Sequence, residues 1–101
     1  MPKLYIYLGL VVYFYSNEHQ PIHVHGEFHG HEAKADIIMR DGKITKIVFS
    51  NVAGKPPLDG AKFKDFKKLV KAKADEIVRR WIDYFVKIVH QKPELITRKL
   101  K

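Results

Sequence analysis

The sequence predicts an α+β fold: a mostly antiparallel sheet of about five strands, with one long bent helix or two helices packed on one face. Residues 1–50 alternate β-branched and aromatic segments with turn residues, a pattern typical of strands joined by hairpins. Residues 61–91 contain neither Gly nor Pro, and their apolar residues recur at spacings of three and four. We therefore expect a single domain, 1–101, that ends in a loosely held basic tail at 93–101.

Five segments of the first half have the composition of strands. They are Leu4–Leu8, Leu10–Tyr15, Ile22–Phe28, Glu32–Met39 and Ile44–Ser50. Two-residue turns at His29-Gly30 and Asp41-Gly42 predict that Val24 faces Ala35 and that Ala35 faces Val48. The two hairpins then agree on one apolar face. Its members are Ile22, Val24, Ala35, Ile37, Met39, Ile44 and Val48.

The opposite face of these strands is polar, because alternate side chains of a strand point to opposite sides. The predicted pairs on this face are His23–Asp36, His25–Lys34 and Glu27–Glu32. The pair of glutamates counts against the register, since like charges directly opposite each other destabilise a sheet.

The helical segment has a predicted N-cap at Asp59. Its apolar stripe comprises Phe63, Phe66, Val70, Ala74, Ile77, Trp81, Phe85 and Ile88. A helix spanning 61–91 would be about 46 Å long at ~1.5 Å per residue, which is longer than a domain of this size is wide. We therefore expect a bend or a break around Lys71–Asp75.

Basic residues flank this stripe on both sides. One flank is Lys64, Lys68, Lys71 and Arg79, and the other is Lys62, Lys73, Arg80 and Lys87. Asp65, Glu76 and Asp83 are expected on the exposed side between the flanks. That position argues against one continuous nucleic-acid groove along the helix.

Charge divides the chain into two halves. The net charge is +8, and residues 55–101 carry all of it, with 14 Lys and Arg against 6 Asp and Glu. Such asymmetry indicates either a surface that binds a polyanion, most often nucleic acid, or a solubilising surface. The chain has no cysteine, which excludes disulfides and thiol chemistry. The apolar run Leu4–Tyr15 is about half of the ~20 residues of a membrane span, so we expect a cytoplasmic protein.

Histidines concentrate in one short stretch, which holds five of the six within 13 residues. In an acid–base interpretation, His23 is oriented by Asp36 and shares proton transfer with His25 or His19. Such a pair suits cleavage of RNA by its own 2′-hydroxyl, with Lys34 binding the phosphate. Lys64 and Lys68 of the helix are further candidates for phosphate binding.

Two other interpretations of the histidines stay open. His23, His25 and His19 could be three ligands of a divalent metal, whereas the acid–base interpretation requires no cofactor. Alternatively, the histidines are structural residues of a strand, bonded to their neighbours.

The run Phe14-Tyr15-Ser16-Asn17-Glu18-His19-x-Pro21-x-His23-Val24-His25 resembles the signature of a bacterial family of small proteins, domain of unknown function 4160. The resemblance covers most of the chain, from Met1-Pro2-Lys3 to Trp81-x-x-Tyr84-Phe85. The family residues that it matches are Ser16, Asn17, Glu18, His19, His23 and His25. The resemblance implies no established activity, and members are suspected components of toxin–antitoxin-like modules.

These observations favour a protein of toxin–antitoxin type that acts on RNA or binds it through its closely spaced histidines. The first alternative is a non-enzymatic module that binds a small operon-encoded protein or nucleic acid through the basic helix. The second is a metal-dependent hydrolase.

Overall fold

The computed structural model describes residues 3–14, 22–85 and 93–100, in which a six-stranded sheet packs against one helix. The strands are β1 (Lys3–Tyr7), β2 (Leu10–Tyr13), β3 (Ile22–Phe28), β4 (His31–Arg40), β5 (Lys43–Asn51) and β6 (Glu94–Ile96), and the helix is α1 (Gly60–Phe85). The strand order is β5-β4-β3-β2-β1-β6. Only the β1–β6 pair is parallel among these strands. The predicted α+β class is confirmed.

Three two-residue turns join the strands in pairs. They are Leu8-Gly9, His29-Gly30 and Asp41-Gly42, and both residues of each have positive φ. This is the geometry of type I′ turns, whose twist matches that of the strands they connect. The His29-Gly30 turn sets the predicted β3–β4 register, in which His23 faces Asp36 and His25 faces Lys34. That register is confirmed.

The β4–β5 register follows the prediction only next to its turn. Met39 faces Ile44 as predicted, but Ile38 then faces Lys46, so Thr45 is an extra residue on β5. Its hydroxyl donates a hydrogen bond to the Ile38 carbonyl at 3.2 Å. This β-bulge shifts the rest of the strand by one residue.

The shift reverses which side chains of β5 face the helix. Ala35 faces Phe49 rather than Val48, so the predicted Ala35–Val48 pair is wrong. Val48 lies opposite Asp36 and is 41% exposed. Ile47 and Phe49 pack against the core instead.

Helix α1 is continuous from Gly60 to Phe85, and the predicted break around Lys71–Asp75 is wrong. That segment consists of Lys, Ala and Asp, with no residue that interrupts a helix. Asp59 caps the start, where its side chain accepts a hydrogen bond from the Lys62 N–H at 2.8 Å. Residues 86–91 of the predicted helix lie outside the described residues. No helix among the described residues is long and apolar enough to cross a membrane.

The core lies between α1 and one face of the sheet, where Phe66, Leu69, Val70 and Ile77 are fully buried. Phe66 rests directly on the backbone of β3 at Gly26, where an added Cβ would lie 2.6 Å from the Phe66 ring. The glycine in the middle of this strand therefore allows close packing between helix and sheet.

The C-terminal segment is held more firmly than the sequence indicated. Glu94–Ile96 pairs with β1 as a sixth strand, and the Leu100 N–H donates to the Tyr7 hydroxyl at 2.6 Å. The prediction of a loosely held tail is wrong for these residues. A strand of three residues is too short to show an alternating pattern.

We expect Gly26→Ala to lower the free energy of unfolding by about 1–3 kcal/mol, because the methyl group displaces a buried ring. Urea denaturation measures the change. The matched control is Gly60→Ala at the start of α1, where an added Cβ meets nothing within 4 Å. Its stability should equal or exceed that of the unmodified protein. A Gly26→Ala variant of undiminished stability would contradict the packing described.

Candidate functional site

The candidate site lies on the sheet face that points away from α1. Val24 and Gly26 face the helix, so His23 and His25 leave β3 on the other side. The two rings meet edge to face, with their centroids 5.7 Å apart. The direction of both side chains agrees with the alternation predicted from the sequence.

Although they point away from the helix, these polar side chains are buried. The exposed fractions are 7% for His23, 3% for His25 and 3% for Glu32. Tyr13 of the neighbouring strand is 6% exposed and stacks on His25, with the ring centroids 5.6 Å apart and the planes at 24°. We call these four residues the histidine cluster.

A hydrogen bond joins two members of this cluster. His25 Nδ1 lies 2.9 Å from Glu32 Oε2. With Glu32 ionised, its carboxylate can only accept, which assigns the proton to Nδ1 and, in the neutral ring, leaves the lone pair on Nε2. A carboxylate that fixes the tautomer and orientation of an imidazole is the arrangement found behind general bases and metal-ligating histidines.

Burial favours the neutral form of His25. Desolvation lowers the pKa of His25 below its ordinary value, and the adjacent Glu32 carboxylate opposes that effect only in part. His23 and Lys34 lower the pKa of His25 further. The imidazole is therefore neutral at pH 7, as the acid–base interpretation requires of a base.

A shallow cavity of about 150 Å³ opens beside the histidine cluster. Its lining includes Lys3, Val11, Tyr13 and Glu27. Val11 and Glu27 face each other across β2 and β3, next to the Tyr13–His25 pair. The space is smaller than the ~300–1,000 Å³ of ordinary ligand pockets and could hold one side chain.

The other predicted site residues are divided between the two faces of the sheet. Asp36 and Lys34 lie half-buried on the histidine face, opposite His23 and His25. Lys64 and Lys68 lie on α1, on the far side of the sheet, so they do not join the histidines in one site. His19 lies outside the described residues.

The partner of His25 was missed by sequence reasoning. The sequence predicts Glu32 only as a like-charge neighbour of Glu27, and the two residues do face each other. The same register places Glu32 diagonally across from His25, two residues before Lys34. That diagonal is within reach of both side chains, so the signal was available.

A metal site is not assembled by the described residues, which contain no group of three His, Cys, Asp or Glu side chains able to hold an ion. The proposed set His19, His23 and His25 depends on a residue outside that description and stays a prediction.

Six of the eight cations of α1 fall into two groups. Lys62 Nζ donates to the Leu8 carbonyl at 2.7 Å, and Arg80 donates to the Leu4 carbonyl at 3.0 Å, so both fasten the helix to the sheet. The second group points away from the sheet; we call it the basic crest. It consists of Lys64, Lys68, Lys71 and Arg79, spaced along about 22 Å of helix at ~1.5 Å per residue.

Two of the acidic residues expected on this exposed side lie elsewhere. Asp65 is buried, with 8% of its surface exposed. Glu76 accepts a hydrogen bond from the Tyr5 hydroxyl, and burial raises the pKa of Tyr5 well above its ordinary value. Asp83, the third residue of the predicted set, is half-buried, and Asp75 is exposed on the same side as the crest. The basic crest is therefore more continuous than the sequence predicted.

The fold and this site define a small α+β protein with one helix-backed sheet and a buried imidazole–carboxylate pair on the other sheet face. The family model described as "Domain of unknown function (DUF4160)" matches residues 9–82. The chain belongs to this family, which confirms the resemblance. Neither the curated proteins nor the solved structures contain a match to the chain.

Stability should fall with decreasing pH because of His25. The ring binds its proton more weakly in the folded protein than in the unfolded chain, where its pKa is near 6.5. Its contribution is therefore complete above about pH 6.5 and is lost as the pH falls toward the lower folded pKa. In chemical denaturation between pH 7 and 5, His25→Asn should lose less stability than the unmodified protein.

The Asn amide can still donate a hydrogen bond to Glu32 but does not titrate. This variant therefore removes only the part of the free energy of unfolding that depends on protonation of His25. His29→Asn is the matched control, because His29 is exposed in a turn. An unchanged pH profile for His25→Asn would contradict the assignment.

Proposed function

We propose that this protein is an RNA-binding module that contacts the phosphate backbone through the basic crest of α1. The observation that carries the proposal is the separation of helix cations by role. Lys62 and Arg80 bond to the sheet, whereas the crest cations make no hydrogen bond or ring contact within the described part of the chain. They are available to a polyanion.

The crest geometry suits a flexible backbone better than a single small anion. Lys64, Lys68 and Lys71 lie on adjacent turns, and Arg79 extends the row by two more turns. A row of this length matches several consecutive phosphates of a strand. Asp75 interrupts the row and favours contacts spaced along it over one dense anion site.

Burial of the histidine cluster supports binding over cleavage. A ring that is 3% exposed offers little surface to an RNA backbone. The crest and the cluster also lie on opposite sides of the sheet, so phosphates on the crest lie far from the imidazoles. A place in a toxin–antitoxin-like module is compatible with RNA binding and stays a prediction.

The triple variant Lys64→Gln/Lys68→Gln/Lys71→Gln should bind a 20-nucleotide single-stranded RNA at least tenfold more weakly at low salt. Each lost phosphate contact should reduce the slope of log K against log salt by about 0.7, so the slope should fall by about two. Fluorescence anisotropy at several salt concentrations measures both quantities.

The matched control is Lys43→Gln/Lys55→Gln/Lys99→Gln, which removes the same charge from exposed positions outside α1. It should keep most of the affinity and of the slope. If the two triples lose affinity equally, net charge and not the crest explains the binding.

A second candidate is acid–base cleavage of RNA at the histidine cluster, and the His25–Glu32 hydrogen bond favours it. This function needs no metal, so cleavage should persist in EDTA. His25→Asn and His23→Ala should then each reduce the rate at least 100-fold, as expected for loss of general acid–base catalysis.

His29→Asn serves again as the control and should cleave at the original rate. Intact RNA after prolonged incubation with the unmodified protein would reject this candidate and leave the binding proposal untouched. Activity that EDTA abolishes would instead favour the metal-dependent hydrolase.

A further inference from the structure

Strand β5 forms one edge of the sheet. It has nine residues and pairs with β4, on one side. Alternate residues of an edge strand direct their backbone N–H and C=O groups outward, where another strand can bond to them. The bulge at Thr45 disturbs the beginning of β5, but Lys46–Asn51 pairs with β4 in an unbroken register.

Apolar side chains flank this edge on both faces of the sheet. On the helix side, Ile47, Phe49 and Phe63 are only half-buried, and the Phe49 and Phe63 rings meet edge to face at 6.2 Å. On the other side, Val48 is 41% exposed. A strand added beside β5 would shield Ile47, Phe49 and Phe63 on the helix side of the sheet and part of Val48 on the other side.

Cations surround the edge. Lys43 and Lys46 are exposed on β5, and Lys67 holds its Nζ 4.8 Å from the Phe63 ring centroid. The nearby acidic groups are Asp36 on β4 and Asp41 in the turn. The cations outnumber them, and Lys67 lies directly over the half-buried apolar surface. The charge therefore favours an acidic occupant.

The same cations disfavour a second copy of the chain. Two β5 strands pairing edge to edge would bring Lys43 and Lys46 of both copies to one seam, where like charges repel. At the other edge of the described sheet, β6 has three residues and therefore offers fewer outward backbone groups than Lys46–Asn51 does.

We propose that β5 accepts an extended acidic segment of a partner protein as an additional strand along Lys46–Asn51. Aliphatic residues of that segment would cover Ile47, Phe49 and Phe63, and its alternate acidic residues would face Lys46 on the other side of the sheet. This interaction goes beyond RNA binding and uses a surface separate from the crest. The mode is strand addition, in which backbone hydrogen bonds supply affinity and alternate side chains supply specificity.

The experiment uses the full chain and a synthetic capped heptapeptide of alternating Glu and Val. Hydrogen exchange by NMR should slow at least tenfold for alternate amides between Lys46 and Asn51 when the peptide is saturating, with β6 unaffected. Lys46→Glu should weaken peptide binding at least tenfold, and the matched control Lys99→Glu, an exposed lysine outside the edge, should bind within twofold of the unmodified protein.

Three outcomes would overturn the proposal. One is the absence of charge-selective binding, in which the Glu–Val peptide does not bind better than a Lys–Val peptide. Another is protection confined to residues outside β5. The third is protection of β5 that rises with protein concentration in the absence of peptide. That result would mean that a second copy of the chain occupies the edge and that the lysines do not prevent self-pairing.

Discussion

The alternation of side chains along β3 is the constraint on which the rest of the structure depends. This strand lies inside the sheet with both faces covered, so every residue from Ile22 to Gly26 is buried. Val24 and Gly26 form the floor on which Phe66 rests, and His23 and His25 must therefore point to the other side. A shift of one residue would place two imidazoles beneath the helix and move Val24 out of the apolar core, which the hydrophobic effect disfavours.

Much of the sheet could be predicted because its turns are short and specific. A two-residue turn that ends in Gly permits only one register of the two strands that it joins. The β3–β4 hairpin has that register throughout. The bulge in β5 could not be read from the turn alone. With Thr45 as the extra residue, Ile44, Ile47 and Phe49 all reach the helix side, whereas strict alternation would have buried Lys46. The apolar spacing of three between Ile44 and Ile47 was the sequence signal for this change of phase.

The sequence predicted which face of the sheet His23 and His25 occupy, but not that their side chains are buried. Alternation assigns His23 and His25 to a face, but it does not say how much of that face is covered. Burial favours Glu32 as the hydrogen-bond partner of His25. A buried imidazole and a buried carboxylate each lose their hydration, and the hydrogen bond between them offsets part of that cost for both. Lys34 and Asp36 are only half-buried, so they keep more of their water than Glu32 does.

The division of cations on α1 connects the two proposed surfaces. The first turns of the helix lie beside β5, where Phe63 meets Phe49, and the same turns begin the basic crest at Lys64. An acidic strand bound at the edge would bring negative charge close to that end of the crest, and RNA bound on the crest would do the same for the edge. Because linkage is reciprocal, occupation of either proposed surface would weaken binding at the other. Salt would screen this electrostatic effect at distances beyond a Debye length, which is about 10 Å at 0.1 M salt. The effect would therefore be larger for phosphates bound at Lys64 and Lys68 than for those bound at Arg79.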